Sequence, residues 1–272
     1  DLYFERHDGE AATVEDFVRC MADASGRDLS QFFTWYEQAG TPRVVAEGHY
    51  DRQSRTYELT LEQQTAKLPL HIPLGIGLLD PDGQDLPLDL DGKGVLNAPL
   101  IELTEQRQTF RFRNVVSRPV LSLNRGFSAP VQLVLNDTAE DQLFRMGRDR
   151  DSFNRWEAGQ IQGRSLILDS LGGVPPSHKA AAYAGALLNI LGDDTLDDAF
   201  KALMLGLPTE ADIAAAIGHD VDTDQVVSAR DSVRAEIGRR LSDRLLRIWR
   251  ETAETGLYSP DPSSTARRAL RY

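Results

Sequence analysis

The spacing of hydrophobic positions along the chain changes twice, and the two changes mark three segments. Residues 1–40 carry apolar side chains at helical spacing. Thr13 stands three positions before Asp16, ahead of Phe17, Val18 and Met21. A hydroxyl N-cap with an acid at its third helical position, leading into an apolar face, predicts a helix start. Asp28 or Ser30 is placed to cap a second helix bearing Leu29, Phe32, Phe33 and Tyr36. Gly40 is placed to end it, and Thr41-Pro42 cannot continue it because proline brings no N–H to the ladder.

Residues 41–138 lose the helical period. Short runs with alternation, or with β-branched and aromatic residues, occupy Arg43–Ala46, Thr56–Gln63, His71–Asp80, Asp85–Leu90, Leu100–Thr104, Gln108–Val115, Val120–Asn124 and Val131–Asn136. In Tyr57-Glu58-Leu59-Thr60-Leu61 the apolar side chains fall on one face. Pro81-Asp82-Gly83 predicts a hairpin turn whose glycine takes the positive φ, and Asp91-Gly92-Lys93-Gly94 predicts another turn. About eight short strands with turn signals between them predict an Ig-like β-sandwich.

Residues 139–272 return to helices. Lys179–Leu191 is rich in alanine, the strongest helix former. Breaks fall at Gly172-Gly173, Pro175-Pro176, Gly192-Asp193-Asp194 and Gly206-Leu207-Pro208. The longest helix is expected from about Asp224 to Glu254, with the apolar stripe Val226, Val233, Ile237, Leu241, Leu245 and Trp249. Successive short helices predict an α-helical, solenoid-like array, although no clean sequence repeat is visible. The fold class is thus multidomain, α and β, with a helical segment, a sandwich and a helical array in order.

Composition narrows the function classes. The 272 residues are 41% hydrophobic and 26% charged, ordinary for a chain with a real core. The net charge of −12 argues against nucleic acid and against an anionic membrane surface, both of which need surplus Lys and Arg. No apolar run is long enough to span a bilayer. The single cysteine, Cys20, cannot form an internal disulfide; among Phe17, Val18 and Met21 it reads as a small buried hydrophobe. The opening Asp-Leu-Tyr-Phe reads as the middle of structured sequence, so a fragment boundary is expected there.

Catalytic signatures can be tested one by one. A zinc peptidase needs two histidines at i and i+4 on one helix face, with a glutamate between them. The histidines are His7, His49, His71, His178 and His219, and even the nearest two, His49 and His71, are far beyond that spacing. A G-x-S-x-G elbow, a phosphate loop and a strand-borne G-x-G-x-x-G are all absent. Gly75-Ile76-Gly77 sits in a strand-like run and predicts a bulge or a close sheet contact. Glu5-Arg6-His7-Asp8 is the densest titratable cluster and reads as caps and ion pairs at a helix end rather than as a catalytic group. The arginines Arg230, Arg234, Arg239, Arg240, Arg244, Arg247 and Arg250 interleave with Asp231, Glu236, Asp243 and Glu251. They form either an exposed or inter-helix ion-pair face, or a cavity wall holding a peptide carboxylate.

Several longer stretches carry a resemblance. Leu2–Gly9 followed by Ala11-Ala12-Thr13 resembles the end of the catalytic domain in the bacterial aminopeptidase N family of zinc metallo-aminopeptidases, a gluzincin family. Trp35–Pro42 resembles that family's crossing into its β-sandwich. Leu68–Pro73 is similar to a strand of the sandwich, and Phe127–Val131 to its last strand. Asp151–Ala158 resembles the entry to the C-terminal helical domain, and Ala266–Leu270 a motif part-way through it. The matches occur in family order along essentially the whole chain.

The resemblance implies 1–40 as the helical tail of a catalytic domain, 41–138 as the β-sandwich domain and 139–272 as the first part of the C-terminal helical domain. It implies a cytoplasmic parent that removes N-terminal residues from peptides, with zinc as its cofactor. The family's zinc ligands, general base and amino-group motif lie upstream of the position matching Asp1. No catalytic, cofactor-binding or metal residue is therefore expected in this chain, and no cofactor of its own. The expected role is architectural, spacing domains and walling a substrate chamber. The expected partners are peptide substrates of the parent and, within it, the missing catalytic domain and later helices, with neither nucleic acid nor membrane. Residues 1–40 should expose apolar surface, because their partner surface lies elsewhere. The competing expectation is a self-standing sandwich-plus-solenoid binding module without enzymatic activity.

Overall fold

The computed structural model describes residues 1–64, 67–253 and 258–272, and residue 178 by its backbone alone. The chain divides into two compact units, residues 1–78 with 86–136, and residues 79–85 with 137–272.

The first unit opens with helices α1 (Leu2–His7), α2 (Val14–Ser25) and α3 (Ser30–Glu37). Thr13 and Asp16 form the expected capping box on α2, and Gly26, left-handed at φ 66, ends it. The cap of α3 differs from expectation. Its N-cap is Leu29, while the Asp28 carboxylate accepts from Ser30 N at 2.9 Å and so satisfies a free amide without being the cap itself. The helix stops at Glu37, before Gly40: the Gln38 backbone turns extended at φ −121 and ψ 129, and its side-chain amide donates to Leu68 O at 3.1 Å.

Among the described residues nine strands follow: β1 (Arg43–Asp51), β2 (Thr56–Gln64), β3 (Ile72–Leu79), β4 (Asp89–Leu90), β5 (Gly94–Val95), β6 (Leu100–Leu103), β7 (Arg107–Arg113), β8 (Val120–Leu123) and β9 (Gln132–Leu135). They form a six-stranded sheet, β5-β4-β7-β2-β1-β9, and a three-stranded sheet, β6-β3-β8. Strand β1 runs past the expected Ala46 because its whole length pairs antiparallel with β2, from Arg43↔Gln64 to Asp51↔Thr56. The run from Asp85 shrinks to Asp89–Leu90, as Pro87 cannot donate to a ladder. The predicted turn at Asp91–Gly94 instead ends in β5, which pairs with β4. Gly83 takes φ +81 in the turn after β3, as its sequence requires. The core gathers Val44, Leu59, Leu61, Ile72, Leu74 and Phe112, each with essentially no exposure. Strand β2 buries alternate residues, whereas every residue of β3 from Leu74 onward is buried. Gln63 is polar among them, and its amide is fully used: Nε2 donates to Leu70 O and Glu105 O, and Oε1 accepts from Leu70 N. Helix α3 lies along this layer, with Trp35 Nε1 donating to His71 O at 2.9 Å and Gln31 Nε2 to Thr104 O at 2.6 Å.

The second unit holds α4 (Ala139–Arg148), α5 (Ser152–Leu171), α6 (Ser177–Gly192), α7 (Asp198–Met204), α8 (Glu210–Ile217), α9 (Thr223–Glu251) and α10 (Pro262–Arg271). Hydroxyl or acidic N-caps start most of them: Thr138, Asp151, Asp197, Thr209, Asp222 and Asp261 each accept from a backbone amide of the first turn. Met146, Ile167, Tyr183, Ile190, Ile213 and Val233 are fully buried at the centre. The long helix ends at Glu251 with Thr252 as C-cap, so the expected end at Glu254 falls on a residue outside the described ones. Its stripe holds at Val226, Val233, Ile237 and Leu241 but turns at the end. Trp249 is 48% exposed and Ile248 is buried in its place.

Candidate functional site

Among the described residues, the titratable side chains singled out in the sequence do not converge; the His178 side chain lies outside the described ones. His7 lies with its ring centroid 5.6 Å from that of Tyr3. His49 is exposed on β1, and His219 is 90% exposed beside Asp220. His71 Nε2 stands 3.3 Å from Glu102 Oε1, an oxygen that Arg27 also bonds. The Arg27 hydrogen bond holds the Glu102 carboxyl below its usual range. In the Glu5–Asp8 cluster Arg6 reaches across, pairing with Asp23 and lying 4.0 Å from the sulfur of Cys20. Cys20 is buried, as its neighbours predict. Among the described residues no group of three or more His, Cys, Asp and Glu could hold a metal ion.

Gly75 and Gly77 mark a close approach on β3. An added Cβ would lie 2.8 Å from the Arg125 carbonyl oxygen at Gly75, and 2.1 Å from the Arg125 guanidinium carbon at Gly77. The glycines leave a flat seat for Arg125, whose Nε donates to Ser122 Oγ at 2.7 Å.

The arginines of α9 divide between carboxylates and backbone. Arg234 pairs with Asp231 at 3.0 Å and Arg240 with Glu236 at 2.8 Å. Arg230 Nε donates to Pro208 O at 2.8 Å, Arg240 Nη2 to Ser177 O at 2.8 Å and Arg244 Nη2 to Leu191 O at 2.5 Å. Those three tie α9 to segments of α6 and of the turn before α8. The inter-helix reading of these arginines therefore extends to carbonyls as well as carboxylates.

A cleft lying entirely within the second unit has a volume of ≈ 830 Å³. The C-terminal ends of α4 and α6 meet there, with Arg148, Arg150, Arg155, Asn189 and Asp193 on its walls. Arg155 is buried, and that burial pushes its guanidinium down from its ordinary value. It is nonetheless well served: Nε donates to Met146 O at 3.2 Å, Nη2 to Gly147 O at 3.1 Å, and Nη1 lies 3.5 Å from Asp193 Oδ2. The Thr195 hydroxyl, then its amide, hold Asp193 below the usual carboxylate range. Arg155 lies within the family-like stretch Asp151–Ala158, but its partner Asp193 stands far along the chain at the end of α6, where no local pattern links the two. The Arg27–Glu102–His71 chain had no local signal at all.

Among the described residues no helix is long and apolar enough to cross a membrane. Residues 40–136 match a family model described as a domain of unknown function, DUF3458, with an Ig-like fold. Residues 139–272 match one described as a domain of unknown function, DUF3458_C, with ARM repeats. The chain is 45% identical over 271 residues to aminopeptidase N of Caulobacter vibrioides, covering 100% of this chain and 31% of that protein. It is 36% identical to aminopeptidase N of Escherichia coli, covering 99% and 32%, and 33% identical to that of Haemophilus influenzae, covering 91% and 29%. Among solved structures it is similar to Legionella pneumophila aminopeptidase A in complex with aspartic acid, with a TM-score of 0.82, 25% identity, and coverage of 99% of this chain and 31% of that one. The chain thus spans about a third of the length of the curated relatives it matches.

Proposed function

The chain belongs to the aminopeptidase N family, and from that premise we propose that it is the architectural portion of a zinc-dependent aminopeptidase that removes N-terminal residues from peptides. The observation that carries this reading is the match to aminopeptidase N relatives over 100% and 99% of the chain, at 45% and 36% identity. In this proposal residues 1–40 are the helical tail of the catalytic domain, 41–138 the sandwich that spaces two domains, and 139–272 the first helices of a domain walling the substrate chamber. Peptides are the substrates of the whole protein. Its location is cytoplasmic, as the family resemblance implies, and the lone Cys20 offers no disulfide of the kind an oxidising compartment supplies.

The described residues do not fit a zinc site, since no cluster of ligating side chains exists among them. Zinc is therefore proposed for the whole protein, and no catalytic or metal residue is assigned here. The exposed apolar side chains Phe4 (67%), Val14 (46%), Phe17 (42%) and Met21 (40%) support packing of α1 and α2 against a further domain.

The test is to purify residues 1–272 and measure bound zinc and the release of chromophore from amino-acid anilides. Neither is expected. Adding the remainder of the protein in trans, with zinc, should restore turnover. Stoichiometric zinc with turnover by the 272 residues alone would overturn the proposal.

A further inference from the structure

We draw no further inference here: the strongest candidate, the groove between α4 and α6 that widens into the cleft beside Arg155, carries nothing, because Arg155 is already held by Met146 O, Gly147 O and Asp193, the groove's α6 wall is largely the small residues Ala182, Gly185 and Ala186, and nothing in the structure shows what covers it.

Discussion

Arg155 Nη2 donates to the carbonyl oxygen of Gly147 at 3.1 Å and so closes the end of α4. The last four carbonyls of a helix have no amide partner within it. Here Met146 O and Gly147 O receive the guanidinium of a residue on the next helix. Replacing Arg155 with methionine keeps much of the apolar stem but leaves two carbonyls unserved and Asp193 without its cation. The expected loss is about 2–4 kcal/mol of unfolding free energy, the range for stranding buried hydrogen-bonding and charged groups. Arg155→Lys should recover little, because a point charge cannot serve the carbonyls and Asp193 together as the guanidinium fork does. Denaturant unfolding of the three proteins checks this, and an unchanged midpoint in Arg155→Met would refute it.

Gly75 and Gly77 offer a graded comparison on β3. At Gly77 an added Cβ meets the end of a flexible side chain, the Arg125 guanidinium, which can swing aside. At Gly75 it meets the Arg125 backbone oxygen at 2.8 Å, and the loop itself must shift. Overpacking of this kind costs about 1–3 kcal/mol. Gly75→Ala is expected to lower the melting temperature more than Gly77→Ala. Equal shifts, or the reverse order, would show that the loop yields more readily than the side chain.

The three-part division was legible because it rests on period. Alternation through Tyr57–Leu61 and helical spacing through Val226–Leu241 are local properties, and each element kept its type. What the sequence concealed depends on partners. Strand β1 extends past Ala46 through polar residues because β2 lies alongside. The end of α9 rotates Trp249 outward, where the Arg271 guanidinium stacks 4.4 Å from its ring centroid. Arg27 and Glu102 meet across 75 positions of chain, and no window of sequence contains both. The stretch Asp151–Ala158 was recognisable as a pattern, yet its physical reasons appear only in three dimensions. Asp151 accepts from Asn154 N at 2.8 Å to start α5, and Arg155 reaches back to finish α4.

Glu102 gives the first unit an acid-sensitive contact. The hydrogen bond from Arg27 depresses its folded pKa, with His71 adding a smaller effect in the same direction. A depressed carboxyl contributes its full stability above its unfolded value, about 4.3, and loses it as pH falls through the lower folded value. Stability should therefore decline below about pH 4.3. Glu102→Gln should flatten part of that decline while lowering stability at neutral pH. Other depressed carboxylates, Asp16, Asp28 and Asp51 among them, keep the rest of the slope. Unfolding midpoints from pH 3 to 7 give the comparison, and an identical acid slope in Glu102→Gln would show the Arg27 contact to be idle.

Phe4 and Phe17 stand on α1 and α2 around Tyr3, whose ring makes edge contacts with both at centroid distances of 5.6 and 5.2 Å. With Val14 and Met21 they make an apolar face that stays in water. Contiguous apolar surface of this kind is uncommon on a monomer and marks a contact site. The isolated 272 residues should therefore enhance the fluorescence of a hydrophobic dye and self-associate at micromolar concentration. Phe4→Ser with Met21→Ser should weaken both effects with little loss of melting temperature, because neither side chain belongs to the buried core: Phe4 is 67% and Met21 40% exposed. If the dye reports the face, the double variant reduces its signal while circular dichroism is unchanged. A clean monomer that ignores the dye would show that this face needs no partner, and would remove the support it lends to packing against a further domain.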